Sequence, residues 1–412
     1  MAHDDFALTV RHNPRVLDAG LAPLAEAEMH NAGVTAYGVA VMAPKARHFC
    51  IVLENVSRLH ANLIKQHMLS LGGEAAVHKH VPTEQVQTTT LLLTGTEHHL
   101  RLLAGKLRDQ PFGLPAVGEL VLRTADGYRR QSWTLRCGSR SVELGPRPVI
   151  MGILNATPDS FSDGGRWLDP ALAAEHALAM HRAGAAVIDV GGESTRPGAN
   201  DVPADEEIRR TTPVIQAIRR QSDVLISIDT HKAAVAAAAL DAGADMVNDI
   251  SALSDGDMAG LLAARDCPVV LMHMQGRPRT MQQNPAYEHV VADVCRRLRQ
   301  AVQQAAEAGV DPEQIVVDPG IGFGKTVAHN LTLLARLKEL RSLGRPILVG
   351  TSRKSFIGKI LDAEVDNRLI GSVATCVWAR AQGAALFRVH DVAETAAALQ
   401  ITAAIQSAED NG

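Results

Sequence analysis

Through the last two-thirds of the chain, short apolar runs alternate with longer amphipathic stretches. The runs fall at 149–154, 187–190, 225–229, 246–250, 269–274, 315–318, 347–350 and 386–390, and they favour β-branched residues. Each has the length of one buried strand. Between them lie alanine-rich segments with helical periodicity, such as 169–183, 232–242 and 287–308. Eight strands alternating with helices imply parallel pairing through crossovers, and the size suits a closed (β/α)8 TIM barrel. A doubly wound open sheet is the alternative. It would carry a G-x-G-x-x-G turn after its first strand, and the sequence has none there.

A turn-rich stretch at 138–148, Gly-Ser-Arg-Ser-Val-Glu-Leu-Gly-Pro-Arg-Pro, precedes the first of these strands. It predicts a domain boundary, with a smaller mixed α/β extension at 1–147 and the barrel at 148–412. Within the extension, 48–53 and 88–94 predict strands, and 57–71 and 97–109 predict helices. The first of those helices has Ser57 as its N-cap and stops at Gly72-Gly73. No function for the extension follows from its residues, and a structural or oligomerisation role is the default.

Composition removes several function classes. Apolar residues make up 46% and charged residues 21%, which supports a large core rather than disorder. A net charge of −4 and the lack of a basic stripe with interleaved aromatics argue against nucleic acid. No secretory signal and no run near the roughly 18 apolar residues of a membrane span is evident, so a cytoplasmic protein with no membrane partner is expected. Five scattered cysteines without a C-x-x-C pair make a disulfide framework or a zinc site improbable.

The strand ends carry the chemistry. The first strand empties into Asn155-Ala-Thr-Pro-Asp-Ser-Phe-Ser-Asp-Gly-Gly165, and the second into Asp189-Val-Gly-Gly-Glu-Ser-Thr-Arg-Pro-Gly198. Later ends carry Asp229, Asn248 with Asp249, His273, Asp318 to Lys325, Thr351 to Ser355, and Arg388 with His390. In a barrel of this type the C-terminal strand ends form the active site. Asn155, Asp229, Asn248, Asp318, Lys354, Arg388 and His390 come from six different strands and converge on one mouth, which points to a ligand rich in donors and acceptors. Others have plainer readings. Asp189 and Asp249 suit caps or loop braces. Glu193 suits a tie for the second loop. Lys232 and Lys325 read as solvated lysines at helix starts, and His231 and His273 as hydrogen-bonded structural histidines. The stretch Gly320-Ile-Gly-Phe-Gly-Lys-Thr326 imitates a phosphate-binding P-loop, but Pro319 occupies the position of a required glycine. His78/His80 and His98-His99 lack acidic or thiol partners at ligand spacing, so they read as surface histidines.

These motifs resemble the dihydropteroate synthases over the whole of 148–412. The resemblance rests on LNATPDSFSDGG, GGESTRPGA, ISIDTHK, MVNDISA, LMHMQGRPRTMQ, DPGIGFGK, TSRKSFIG and FRVHD. It implies condensation of a pterin diphosphate with p-aminobenzoate in folate biosynthesis. By that resemblance Asp229, Asn248, Asp318 and Lys354 would hold the pterin. Arg388, His390 and Asn155 would hold the diphosphate, with Mg2+ on Asn155. Thr195, Arg196, Pro197, Phe323 and Ser355 would form the p-aminobenzoate side. Asp163, Asp318, Lys354, Arg388 and His390 would be the catalytic set. A homodimer is implied, and residues 1–147 resemble an N-terminal extension of some bacterial members. A methyltetrahydrofolate-dependent methyltransferase would share the pterin-reading residues but would not need the anion-binding groups of TSRKS and FRVH. A non-catalytic pterin-binding homologue is the other alternative.

Overall fold

All eight apolar runs form strands, and their side chains sort into two layers. The computed structural model describes residues 22–157, 169–194, 201–276 and 279–411. The strands are β6 (Val149–Asn155), β7 (Val187–Gly191), β8 (Leu225–Asp229), β9 (Met246–Asp249), β10 (Val269–Met272), β11 (Ile315–Asp318), β12 (Leu348–Val349) and β13 (Leu386–Val389). They pair in parallel in the order β11-β10-β9-β8-β7-β6-β13-β12. A parallel bridge between Val317 and Ile347 joins the two ends and closes the barrel. Ile150, Ile188, Ile226, Val247, Val317 and Phe387 face the surrounding helices. Met151, Val187, Leu225, Met246, Val270, Val316, Leu348 and Leu386, drawn from all eight strands, form a second apolar cluster. Successive strand residues point to opposite faces, so this second set fills the barrel axis.

The N-terminal floor of the barrel has a plug. An antiparallel hairpin, β4 (Trp133–Cys137) and β5 (Arg140–Leu144), adds Trp133, Leu135, Cys137 and Leu144 to the axial cluster. Its polar groups are anchored too. Trp133 Nε1 donates to the Gly344 carbonyl at 3.1 Å, and the Arg136 amide donates to Gln314 at 2.7 Å. Arg140 pairs with the buried Asp245, which also accepts Arg219 at 2.6 Å. The chain accordingly divides between Asp126 and Gly127, not at 147/148. Residues up to Asp126, with those after Ile405, form one compact unit, and 127–405 the other. The turn-rich stretch at 138–148 holds the hairpin's turn and its second strand, and so belongs to the barrel.

The first unit is mixed α/β, as its sequence predicts. It contains α1 (Ala22–Asn31), α2 (Ala36–Ala46), β1 (His48–Ser57), α3 (Arg58–Ser70), β2 (Glu74–Ala76), β3 (Thr88–Thr96) and α4 (Glu97–Arg108). Helix α5 (Leu114–Arg129) runs out of it. The sheet order is β1-β3-β2, antiparallel. Ser57 caps α3 by accepting the His60 amide at 3.2 Å, and Gly72 follows that helix with φ +87°. Ile64, Met68, Leu91, Leu93, Leu100 and Leu103 form this unit's own core. Among the described residues, no helix is long and apolar enough to cross a membrane.

Candidate active site

At the C-terminal mouth of the barrel lies a cavity of about 490 Å3. Asn155, Asp229, Asn248, Asp318, Phe323, Lys354, Ser355, Arg388 and His390 all line it. Parallel register explains the convergence: Asp229 pairs with Asn248, and Met272 with Asp318, so neighbouring strands end at one level.

The floor is charged and buried. Arg388 donates through Nε to Asp189 at 2.5 Å and through Nη2 to Asp229 at 2.6 Å. Asn248 donates its amide to Asp189 at 3.1 Å. Asp189 thus braces the site from behind. Burial alone would lower the Arg388 guanidinium, but Asp189 and Asp229 outweigh it and hold it above its ordinary value. Among the described residues, Asp229 Oδ1 is buried without a hydrogen-bond partner. A buried acceptor left open is costly unless a ligand fills it. Burial pushes the Asp229 carboxyl up to about 7, against the pull of Arg388. Burial likewise pushes Asp318 up to about 6, although the Gly320 amide donates to it at 2.7 Å.

Cations complete the walls. Lys354 Nζ sits 3.9 Å from the centre of the Phe323 ring. Burial and the nearby Arg388 lower its ammonium to about 8. Lys354 is placed by a tight turn in which Arg353 adopts φ +56°, is held by Asp391 at 2.6 Å, and donates its amide to Ser372 at 2.8 Å. Ser355 opens helix α12 (Ser355–Leu361) at the rim. His390 approaches Ser352 Oγ through Nδ1 at 3.1 Å. Burial, with Arg388 and Arg353, lowers its imidazole to about 3, so His390 is neutral at pH 7 and acts as a hydrogen-bonding group, not a cation.

The chain matches the pterin binding enzyme family over residues 151–390. It is 48% identical to the dihydropteroate synthase of Escherichia coli over 264 residues, 64% of this chain and 94% of that protein. A solved dihydropteroate synthase of Yersinia pestis, in a sulfonamide drug complex, shares 46% identity with a TM-score of 0.65, covering 66% of this chain and 99% of that one. The Xanthomonas albilineans enzyme solved with 4-aminobenzoic acid gives 45% and 0.63, over 67% and 99%. This chain belongs to the dihydropteroate synthases. A probable bifunctional folylpolyglutamate synthase/dihydropteroate synthase of Haloferax volcanii is 42% identical over 358 residues, 85% of this chain but only 42% of that longer protein. That alignment exceeds the barrel unit, so the likeness extends into the N-terminal unit.

Two lysines differ from their sequence reading. Lys232 is not a solvated helix-start residue: it pairs with Glu193 and with the fully buried Glu207 at 2.6 Å, and donates to the Val202 carbonyl at 2.7 Å. Glu193 in turn accepts the Val202 amide at 3.2 Å, so it does tie the second loop. Lys325 is 3% exposed, deep beneath the loop it ends. Nothing in their spacing distinguishes a lysine turned inward from one in water. Asp189 is the functional neighbour that sequence reasoning undervalued, and its place on the same strand end as Glu193 was the only signal. Asp249 braces its own turn by accepting the Ser251 and Leu253 amides at 2.8 and 2.7 Å. His273 is structural, as expected. Asp159, Ser162, Asp163, Thr195, Arg196 and Pro197 lie outside the described residues.

Proposed function

We propose that this chain condenses 6-hydroxymethyl-7,8-dihydropterin diphosphate with p-aminobenzoate, releasing diphosphate and 7,8-dihydropteroate. The observation that carries the reading is the open Oδ1 acceptor of Asp229, buried in the same cavity as Asp318 and Asn248. A 2-amino-4-oxopyrimidine edge offers adjacent N–H donors to such carboxylates. Lys354, close above the Phe323 ring, supplies a donor for the pterin carbonyl, and Phe323 with Ser355 forms the aryl-amine side.

An aryl amine is a weak nucleophile, so the carbon it attacks must be activated. Departure of the diphosphate leaves positive charge on the pterin methylene, and the carboxylate of Asp318 favours that charge. Asp163, by the family resemblance, favours the same cation, while Arg388 and His390 hold the departing anion. Among the described residues no three His, Cys, Asp or Glu side chains gather as a metal site. By the family resemblance a magnesium ion would be held at Asn155, which lines the cavity, and would neutralise the leaving group. A homodimer in the cytoplasm completes the proposal. α12 exposes Ile360 and Leu361, and the next helix, α13 (Leu369–Ala381), exposes Ile370 and Trp378, an apolar face suited to a second copy.

The test is diphosphate release by the purified chain given both substrates and magnesium. Release that depends on p-aminobenzoate is expected. Pterin binding without release would leave a non-catalytic homologue.

A further inference from the structure

The loop after β11, residues 319–325, is wound around the side chain of its own last residue. Lys325 Nζ donates to the carbonyls of Gly320 and Phe323, each at 2.9 Å, and to that of His273 on β10 at 3.3 Å. The Nδ1 of His273 lies 3.0 Å away. Tyr287 adds its ring 6.0 Å from Nζ, and its hydroxyl donates to the Gly324 carbonyl at 2.8 Å. Three carbonyl oxygens thus surround one nitrogen. A neutral amine has two N–H bonds and an ammonium three, so only the charged form can serve all three carbonyls. Burial, together with the charge of Lys325, lowers His273 to about 3.

Lys325 does not line the cavity, and the reaction has no direct use for it. Its neighbours do line it: Asp318, Ile321, Gly322 and Phe323. We propose that Lys325 is a positioning residue whose buried ammonium is the internal cation around which the cavity wall folds, and whose charge holds Asp318 as the carboxylate that receives the pterin. The second part rests on the pterin assignment above.

Gly320 joins the two groups, because its carbonyl accepts Lys325 at 2.9 Å and its amide donates to Asp318 at 2.7 Å. Lys325 is faced by Asp318 from β11, by His273 from β10, by Tyr287, and by Lys354 from the turn after β12. Burial lowers its ammonium to about 7, while Asp318 pushes it back up. Asp318 in turn is faced by Lys354, Lys325 and Arg388, all of which favour its charged form against burial. A lysine that merely filled space would leave the titration of Asp318 where it is.

The experiment is a pH series of pterin affinity by calorimetry, using 6-hydroxymethylpterin and the full chain, unmodified and with Lys325→Met or Lys325→Gln. In the unmodified chain affinity falls on the acid side as Asp229 and Asp318 take up protons. In both variants the step belonging to Asp318 should move to higher pH by about half a unit or more, while that of Asp229 stays. A folded variant whose two steps are unmoved overturns the proposal. Lys325→Gln keeps donors for the loop carbonyls and removes only the charge, so it carries the test if the methionine variant does not fold. The unmodified chain supplies a second reading. With carbon-13 lysine, both low-titrating lysines, Lys325 and Lys354, should still be charged at pH 6, and a neutral amine there would overturn the internal cation. Failure of the unmodified chain to bind the pterin would sink the functional reading instead, and leaves the lysine titration to decide this one.

Discussion

Arg388 shows how a residue can be found in the sequence while part of its work stays hidden. Its place at a strand end marks it as a candidate anion ligand, and it does line the cavity. Two of its nitrogens, however, are already spent on Asp189 and Asp229. Removing the guanidinium would strand two buried carboxylates, a loss of about 3–5 kcal/mol for a broken buried pair. Arg388→Ala should therefore weaken binding of a phosphate-free pterin as well as the pterin diphosphate, the latter more, and lower the melting temperature. Calorimetry with both ligands checks this, and loss confined to the diphosphate would mean the carboxylates hold their places unaided. By the same logic Asp229→Asn and Asp318→Asn should each cost about 1.5–3 kcal/mol of pterin affinity, the worth of a charge-assisted hydrogen bond. The residues on strand ends were legible because position alone selects them. The two lysines were not, because burial depends on how a loop folds back, and Lys325 lies in a loop of alternating glycines whose path no periodicity encodes.

At the level of elements, strand placement was readable and the hairpin was not. The eight runs are short and apolar, and parallel pairing follows from the helices between them. The hairpin residues 133–144 read instead as part of the extension, because Gly138, Gly145 and the prolines that follow carry a boundary signal. What attaches the hairpin to the barrel is packing across the floor, which only the fold reveals. A fragment beginning at 148 should therefore expose Met151, Val187 and their axial neighbours and aggregate, whereas one beginning at 127 should stay soluble with similar KM for both substrates. Circular dichroism and turnover of the two fragments decide between them. Within the intact chain, Trp133→Ala should cost about 3–5 kcal/mol of stability, since it empties a buried aromatic site and orphans the Gly344 carbonyl. Chemical denaturation measures it.

Over the whole molecule, the buried titratable groups pull in opposite directions with pH. Asp229 and Asp318 have raised carboxyls, so their burial weakens the free fold at neutral pH and this loss is recovered as pH falls through about 7 and 6 toward their ordinary range. His273 and His390 are lowered to about 3, so they favour folding above the ordinary histidine value and that support fades as pH falls below it. Each histidine withdraws about 1.4 kcal/mol per pH unit in that window. In the unmodified chain the two effects offset. In the double variant Asp229→Asn/Asp318→Asn the offset from those two carboxyls is gone, so the melting temperature should fall more steeply from pH 6.5 to 4.5. Parallel slopes for the two proteins would contradict these assignments. The N-terminal unit was legible as strands and helices from its caps and glycines, but its role was not.

The glycines after β11 limit how this cavity can change. Gly320, Gly322 and Gly324 all have positive φ, from +58° to +86°. A Cβ at Gly320 would lie 1.9 Å from the His273 carbonyl oxygen, and one at Gly324 would lie 2.4 Å from that of Gln275. A Cβ at Gly322 would meet the Lys354 side chain at 3.0 Å. Gly320 and Gly324 are thus closed by backbone clashes and Gly322 is disfavoured by its positive φ, which leaves Ile321 and Phe323. Selection by a competitor of the aryl amine would find few permissible substitutions along this wall. Escape variants should accumulate at Phe323, whose backbone already carries a side chain facing the cavity.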